Sequence, residues 1–154
     1  MELYTYENVN GDLSEFAYNK LKEILNVNEL EFIKNEYGKP YLKDSSIYFN
    51  ISHSNDVVVI VIDDKEVGVD IEFYSHYSEN MVDRVCSLKE IDNINNSDNK
   101  AKEYIKIWCK KESLIKCEGK GISLNMKNIL DDEEKYRFDI LEKEKYLICI
   151  CRKK

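Results

Sequence analysis

Proline, long apolar runs and paired cysteine motifs are scarce in this chain of 154 residues, which has a single proline. No apolar run approaches the roughly 18 residues of a transmembrane helix, so we predict no contact with a membrane. The first residues, MELYTYENVN, lack the basic and apolar regions of a signal peptide. Five cysteines without C-x-x-C spacing indicate neither a zinc site nor a disulfide framework. These absences favour a cytoplasmic protein.

An excess of positive charge is also missing. The formal net charge is −7, which argues against a nucleic-acid-binding protein. Residues 100–120 are the exception, with seven lysines against three glutamates. A basic helix on an acidic protein indicates a local anionic partner, such as phosphates or an acidic protein surface. A solvated helix face is the simpler interpretation of the same charges.

Strand and helix patterns alternate along the chain and predict an α+β fold. Residues 57–62, VVVIVI, form a β-branched run typical of a strand buried on both faces. We expect this strand to form a hairpin with VGVDIEF, residues 67–73, pairing 60–62 with 67–71. Residues 79–94 are predicted to be helical, and the strongest helix pattern covers 101–119, with Gly119 as its C-terminal stop. YRFDIL and KYLICIC predict a closing hairpin.

Two carboxylates share one face of the VGVDIEF strand. Side chains alternate along a strand, so Asp70, Glu72 and Gly68 point the same way. Carboxylates this close repel one another unless a cation or proton lies between them. Mg²⁺ suits such a site because it takes oxygen ligands and retains substrate phosphates. The alternative is a half-exposed sheet whose acids face water.

One face of the predicted helix 101–119 carries charges among apolar residues. Trp108, Glu112, Ile115 and Lys116 follow helical spacing. Buried charges need partners, so Glu112 is a candidate third carboxylate for the strand's metal site. Lys116, one turn further on, is a candidate for neutralising a phosphate or moving a proton.

The stretch FNISHS places hydroxyls beside an imidazole at a strand end. Ser52, His53 and Ser54 are groups that bind phosphate oxygens. An exposed histidine in a turn is the simpler interpretation. His76, in FYSHYS, has no such neighbours, and we interpret it as a surface residue.

Taken in order, GKP, FNISHS, VGVDIE and WCKKESLIKCEGKGISL resemble the Sfp-type 4'-phosphopantetheinyl transferases. The family's last motif, W-x-x-K-E-[SA]-x-x-K-x-x-G-x-G, is matched at every fixed position between Trp108 and Gly121. The resemblance implies two small related lobes in which antiparallel sheets pack on helices. The first lobe, residues 1–66, would be abbreviated, and the second would comprise 67–154, both within one compact unit.

The resemblance also implies an activity: transfer of the phosphopantetheine arm of coenzyme A to a serine of an apo acyl or peptidyl carrier protein, which releases 3',5'-ADP. Mg²⁺ would be the metal, with Mn²⁺ as the alternative. The implied metal ligands are Asp70, Glu72 and Glu112, and Lys116 would lie beside the pyrophosphate. Either Glu112 or a metal-bound water would accept the serine proton. The implied coenzyme A contacts are Lys39, Ser52, His53, Lys111 and Lys116.

This sequence departs from the family between its first strand and the GKP motif, where a segment is abbreviated. We expect weaker coenzyme A binding as a result, and we favour a monomer over an oligomer that completes the site from a second chain. The basic run 100–120 would dock an acidic carrier protein. A catalytically silent module that binds the carrier or coenzyme A remains the alternative, and a Mg²⁺-dependent phosphohydrolase is a weaker one.

Overall fold

The structure is a computed structural model that describes residues 1–121 and 125–154. Its first antiparallel sheet has the order β1-β5-β4. These strands are β1 (Glu2–Tyr6), β4 (Tyr48–Ser54) and β5 (Val57–Asp63). Helix α1 (Leu13–Leu25) begins at Asp12, whose side chain accepts a hydrogen bond from the Glu15 N–H. A short hairpin of β2 (Phe32–Lys34) and β3 (Pro40–Leu42) follows α1.

A second antiparallel sheet has the order β6-β8-β7. Its strands are β6 (Val67–Phe73), β7 (Tyr136–Glu142) and β8 (Tyr146–Lys153). Three helices precede its last two strands: α2 (Glu79–Val85), α3 (Leu88–Asn96) and α4 (Lys100–Glu118). Helix α4 ends as predicted at Gly119, which has the left-handed φ of 64° that glycine adopts without strain. No helix in the described part of the chain is long and apolar enough to cross a membrane.

The two sheets pack face to face between layers of helices. Val58 and Ile60 of β5 lie in a core with α1, whereas Val59 and Val61 pack against Val69 and other residues of the second sheet. Strand β5 is thus buried on both faces, as predicted. The opposite face of the second sheet carries α4. The predicted α+β fold with antiparallel sheets on helices is confirmed. The division into lobes at residue 66 stays a prediction, and it falls in the turn between β5 and β6.

Two sequence predictions about elements are wrong in detail. Strands β5 and β6 do not form a hairpin, because β5 already pairs with β1 on one edge and β4 on the other. Strand β6 pairs with β8 instead. The helix predicted over 79–94 is two helices, separated where Ser87 caps α3 through a capping box with Glu90. The closing hairpin of β7 and β8 is confirmed.

Candidate functional site

The edges of the two sheets meet along β4 and β6, and polar side chains of β4 join them. Asn50 Oδ1 accepts a hydrogen bond from the Val69 N–H at 2.9 Å. Two residues further along, Ser52 Oγ accepts a longer one from the Ile71 N–H at 3.4 Å. Backbone donors at a buried strand edge need partners. The side chains of β4 therefore hold β6 in register beside the first sheet.

Asp70 lies at the centre of this junction and is buried. Its Oδ1 accepts hydrogen bonds from Ser52 Oγ at 3.0 Å and from Lys116 Nζ at 2.7 Å. Lys116 Nζ also donates to Ser52 Oγ at 2.9 Å. Burial raises the pKa of Asp70, although Lys116 and Ser52 oppose that shift. The second carboxylate oxygen, Oδ2, is buried and has no hydrogen-bond partner among the described residues.

Helix α4 approaches β6 closely because of Gly68. A Cβ at this position would lie 2.1 Å from Ser113 O and 2.3 Å from Cys117 N, inside the helix backbone. The space beside Gly68 is thus filled by α4. This close contact holds the face of α4 that carries Glu112 and Lys116 against the strand that carries Asp70.

Glu112 faces the same group of charges from the helix. Burial raises the pKa of its carboxyl, and the Asp70 carboxylate raises it further. Lys116 opposes this rise, and Glu72 adds to it. Trp108, one turn earlier on this face, is half-buried and stacks on Tyr104 with ring centroids 6.3 Å apart.

Glu72 is held from two sides by residues that were not predicted to contact it. Ser54 Oγ donates to Glu72 Oε1 at 2.8 Å, and His76 Nδ1 lies 2.5 Å from the same oxygen. The interpretation of His76 as merely a surface residue is therefore incomplete, although its side chain is exposed. The spacing of four residues between Glu72 and His76, across a turn that follows the strand, was the available signal.

His53 lies on the opposite face of β4 from Ser52 and Ser54. Like Ile51, it points to the side of β4 that packs towards α1. Its Nε2 lies 3.5 Å from Ser14 Oγ. A cavity of about 230 Å³ opens here, and Tyr18 and Pro40 help to line it. The sequence pattern predicts that the imidazole and the two hydroxyls bind phosphate oxygens together. The structure divides them between two faces of one strand.

Lys111 does not reach the junction around Asp70, which corrects its prediction as a phosphate contact. Its side chain is fully buried on another face of α4. Its ammonium donates to Glu90 Oε2 at 2.6 Å and to the carbonyls of Val85 and Met126, each at 2.7 Å. All three donors of the ammonium are in use. We therefore omit Lys111 from the proposed binding residues.

The basic run of α4 is largely compensated by nearby acids. Lys102 pairs with Glu142 at 2.6 Å, and Lys106 pairs with Glu103 at 3.9 Å. Lys110 pairs with Glu133. The positive electrostatic potential at this surface is therefore weaker than the number of lysines implies.

The fit of a divalent cation to the acids can be judged from their chemistry. Within residues 1–121 and 125–154, no three acidic, histidine or cysteine side chains stand in an arrangement that could hold a metal ion. The acids nevertheless supply oxygen donors of the kind that a divalent cation takes. Asp70 Oδ2 is buried without a partner. The Lys116 ammonium pairs with Asp70, and both Asp70 and Glu72 lie close enough to Glu112 to raise the pKa of its carboxyl. Mg²⁺ and Mn²⁺ are the ions that such oxygen ligands suit.

Comparison with known proteins identifies the class to which this fold and site belong. The model of the 4'-phosphopantetheinyl transferase superfamily matches residues 66–153, more than half of the chain. The chain belongs to that superfamily. The match covers β6, α4 and the closing hairpin. The last residues of the WCKKESLIKCEGKGISL motif, 122–124, lie outside the described residues.

Individual relatives agree with this assignment. The chain is 33% identical over 144 residues to the 4'-phosphopantetheinyl transferase gsp of Aneurinibacillus migulanus, a match that covers 91% of this chain and 60% of the relative. It is 38% identical over 103 residues to the 4'-phosphopantetheinyl transferase ffp of Bacillus subtilis, across 65% of this chain and 46% of the relative. Sfp of Bacillus subtilis strain 168 is 36% identical over the same shares. The chain thus spans about half the length of the curated relatives it matches.

Proposed function

We propose that this chain transfers the 4'-phosphopantetheine arm of coenzyme A to a serine of an apo acyl or peptidyl carrier protein and releases 3',5'-ADP. The observation that carries the proposal is the convergence of Asp70, Glu112 and Lys116 where the two sheets meet. Membership of the superfamily and the names of the relatives support the same reaction. Transfer to a carrier's own hydroxyl requires no nucleophile from this chain.

In the proposed site, Asp70, Glu72 and Glu112 would hold Mg²⁺ or Mn²⁺. When bound, the ion supplies charge neutralisation for the pyrophosphate of coenzyme A. Lys116 complements it, because its partly exposed ammonium lies 2.7 Å from Asp70 Oδ1. Positioning and charge stabilisation are the main protein contributions to phosphoryl transfer.

The serine proton goes to Glu112 in the proposed reaction. The serine oxygen forms a bond to the phosphorus that carries the pantetheine arm, and the pyrophosphate bond to 3',5'-ADP breaks. A general base works best when its pKa lies near the operating pH. Burial and the neighbouring carboxylates raise the pKa of Glu112 in that direction.

Coenzyme A binding is assigned to both faces of β4. Ser52 lies beside Lys116 and would contact the pyrophosphate. His53 borders the cavity against α1, which would take another part of the coenzyme A molecule. Because these two residues point to opposite sides of the strand, they would contact different groups of the same ligand.

The test is the intact mass of an apo acyl carrier protein after incubation with this chain, coenzyme A and Mg²⁺. We expect a mass increase of one phosphopantetheine arm, which EDTA abolishes. The matched control is Glu112→Gln, which keeps the side chain's size. No mass increase with several acyl and peptidyl carriers, from a protein that still binds coenzyme A, would overturn the transferase proposal and favour the silent binding module.

A further inference from the structure

The turn between β2 and β3 packs against the C-terminal end of α4. Asn35 Nδ2 donates to the Gly119 carbonyl at 2.8 Å. Asn35 Oδ1 accepts hydrogen bonds from the backbone N–H groups of Tyr37 and Lys39, at 3.0 and 2.9 Å, which fixes the turn itself. The last carbonyls of a helix lack partners within the helix. A side chain from the first sheet's side of the molecule thus satisfies the end of α4.

Lys39 reinforces the same contact with its charge. Its ammonium donates to Glu66 Oε2 at 2.6 Å and to the Cys117 carbonyl at 3.1 Å, and the longer contact to Val67 O is 3.4 Å. The Lys39 side chain is only 7% exposed. A cation at a helix C-terminus is favourable because the carbonyl end of the helix carries partial negative charge. Lys39 therefore ties β3 to both α4 and the start of β6.

Gly119 shows how closely this turn fits. A Cβ at Gly119 would lie 2.8 Å from Lys39 Cδ and 3.0 Å from Asn35 Nδ2. The glycine therefore serves the left-handed end of α4 and also allows the turn to approach. Nearby, burial raises the pKa of Tyr41 to about 12, and the adjacent Glu66 carboxylate adds to the rise.

The contacts of Lys39 with Glu66 and Val67 lie at the start of β6, away from Asp70, where the proposed ligand would bind. A strand rises about 3.3 Å per residue, so Val67 and Asp70 are separated by about 10 Å along the strand. In contrast, Cys117, whose carbonyl Lys39 holds, directly follows Lys116 in α4. Lys39 is thus connected to the proposed site through helix α4.

We propose that Lys39 is a positioning residue, which acts by clamping the end of α4 so that Lys116 and Glu112 stay over Asp70. The resemblance implied instead that Lys39 touches coenzyme A. The inference rests on the proposed function, because the position of Lys116 matters only if the proposed site binds the pyrophosphate. Misplacing a reacting or charge-stabilising group by about 1 Å is enough to slow a reaction up to roughly 100-fold.

The decisive experiment compares coenzyme A with 3'-dephospho-coenzyme A as substrates for Lys39→Met, which keeps the apolar stem and removes the charge. We expect kcat to fall about tenfold or more with both substrates, with KM unchanged for each. A rise in KM for coenzyme A alone would overturn the inference, because it indicates a direct contact with the 3'-phosphate. A rise in KM for both substrates with an unchanged kcat would do the same in favour of a direct contact with the pyrophosphate.

Asn35→Ala provides a second route if Lys39→Met folds poorly. It removes the hydrogen bond to the Gly119 carbonyl without removing a charge that could bind phosphate. We expect the same fall in kcat with an unchanged KM. Lys43→Met is the matched control, since Lys43 follows β3 and pairs with Glu31 in an exposed ion pair. It should leave kcat, KM and Tm unchanged.

A double-mutant cycle tests the clamp independently of turnover. Lys39→Met and Glu66→Gln should each lower Tm, and the double variant should lower it by less than the sum of the two. Additive shifts would overturn the inference. Lack of turnover by the wild-type chain would overturn the proposed function and, with it, the role of Lys39 in positioning. Wild-type turnover combined with an unchanged kcat in Lys39→Met would overturn the inference alone.

Discussion

Helix α4 carries two lysines that pair with carboxylates in very different surroundings. The Lys111 side chain is fully buried, and its three donors are taken by Glu90 and two backbone carbonyls. The Lys116 side chain is 28% exposed, and its partner Asp70 keeps one buried oxygen without a hydrogen bond. A saturated pair contributes to the fold and has nothing left for a ligand. An unsaturated and partly exposed pair retains binding capacity, which is why we place the chemistry at Lys116.

The largest expected effect on stability comes from Lys111→Met. This change leaves the Glu90 carboxylate and the carbonyls of Val85 and Met126 buried without their donor. Breaking a buried ion pair costs about 3–5 kcal/mol of the free energy of unfolding, which urea denaturation measures. The control is Lys102→Met, because its pair with Glu142 is exposed and its loss should leave the urea midpoint nearly unchanged. Equal losses in the two variants would contradict the structural role of Lys111.

Asp70→Asn tests the other pair and should affect activity rather than stability. We expect transfer to fall by about 10²–10³-fold, the usual consequence of removing one electrostatic group from a transition state. The free energy of unfolding should be unchanged or higher, because burial disfavours the charged carboxylate and raises its pKa. Asp132→Asn, at an exposed aspartate, is the control. A folded Asp70→Asn variant with wild-type turnover would remove the basis for placing the reaction here.

The residues of the candidate site could be predicted from the sequence because simple periodicities assign them to one face of a strand or of a helix. Strand alternation put Asp70 and Glu72 on one face, and helical spacing put Glu112 and Lys116 on another. The structure brings Asp70 and Lys116 into contact. What neither periodicity contains is which partner each face meets. The role of Ser54 became visible only in the structure, where β4 lies beside β6 and Ser54 contacts Glu72.

The errors arise from tertiary contacts that local patterns do not carry. Lys111 is adjacent to Glu112 in sequence, but one residue rotates a helix by about 100°, which turns its side chain towards α3. The short turn after β5 favoured a hairpin with β6, but β1, from the start of the chain, occupies one edge of β5. The contact between His76 and Glu72 depends on the turn after β6, whose course the sequence did not predict.

The smallest expected effect is a pH dependence at Glu112, on the unsaturated side of α4. The folded state raises its pKa, so the native protein binds more protons than the unfolded chain. Its contribution to stability is therefore present at low pH and lost as pH rises through the folded pKa. Urea midpoints of the wild type should fall relative to those of Glu112→Gln from about pH 4 towards neutrality. Mg²⁺ should reduce this difference, because the ion compensates the ionised carboxylates. Parallel pH profiles for the two proteins, with and without Mg²⁺, would contradict a cation-binding role for Glu112.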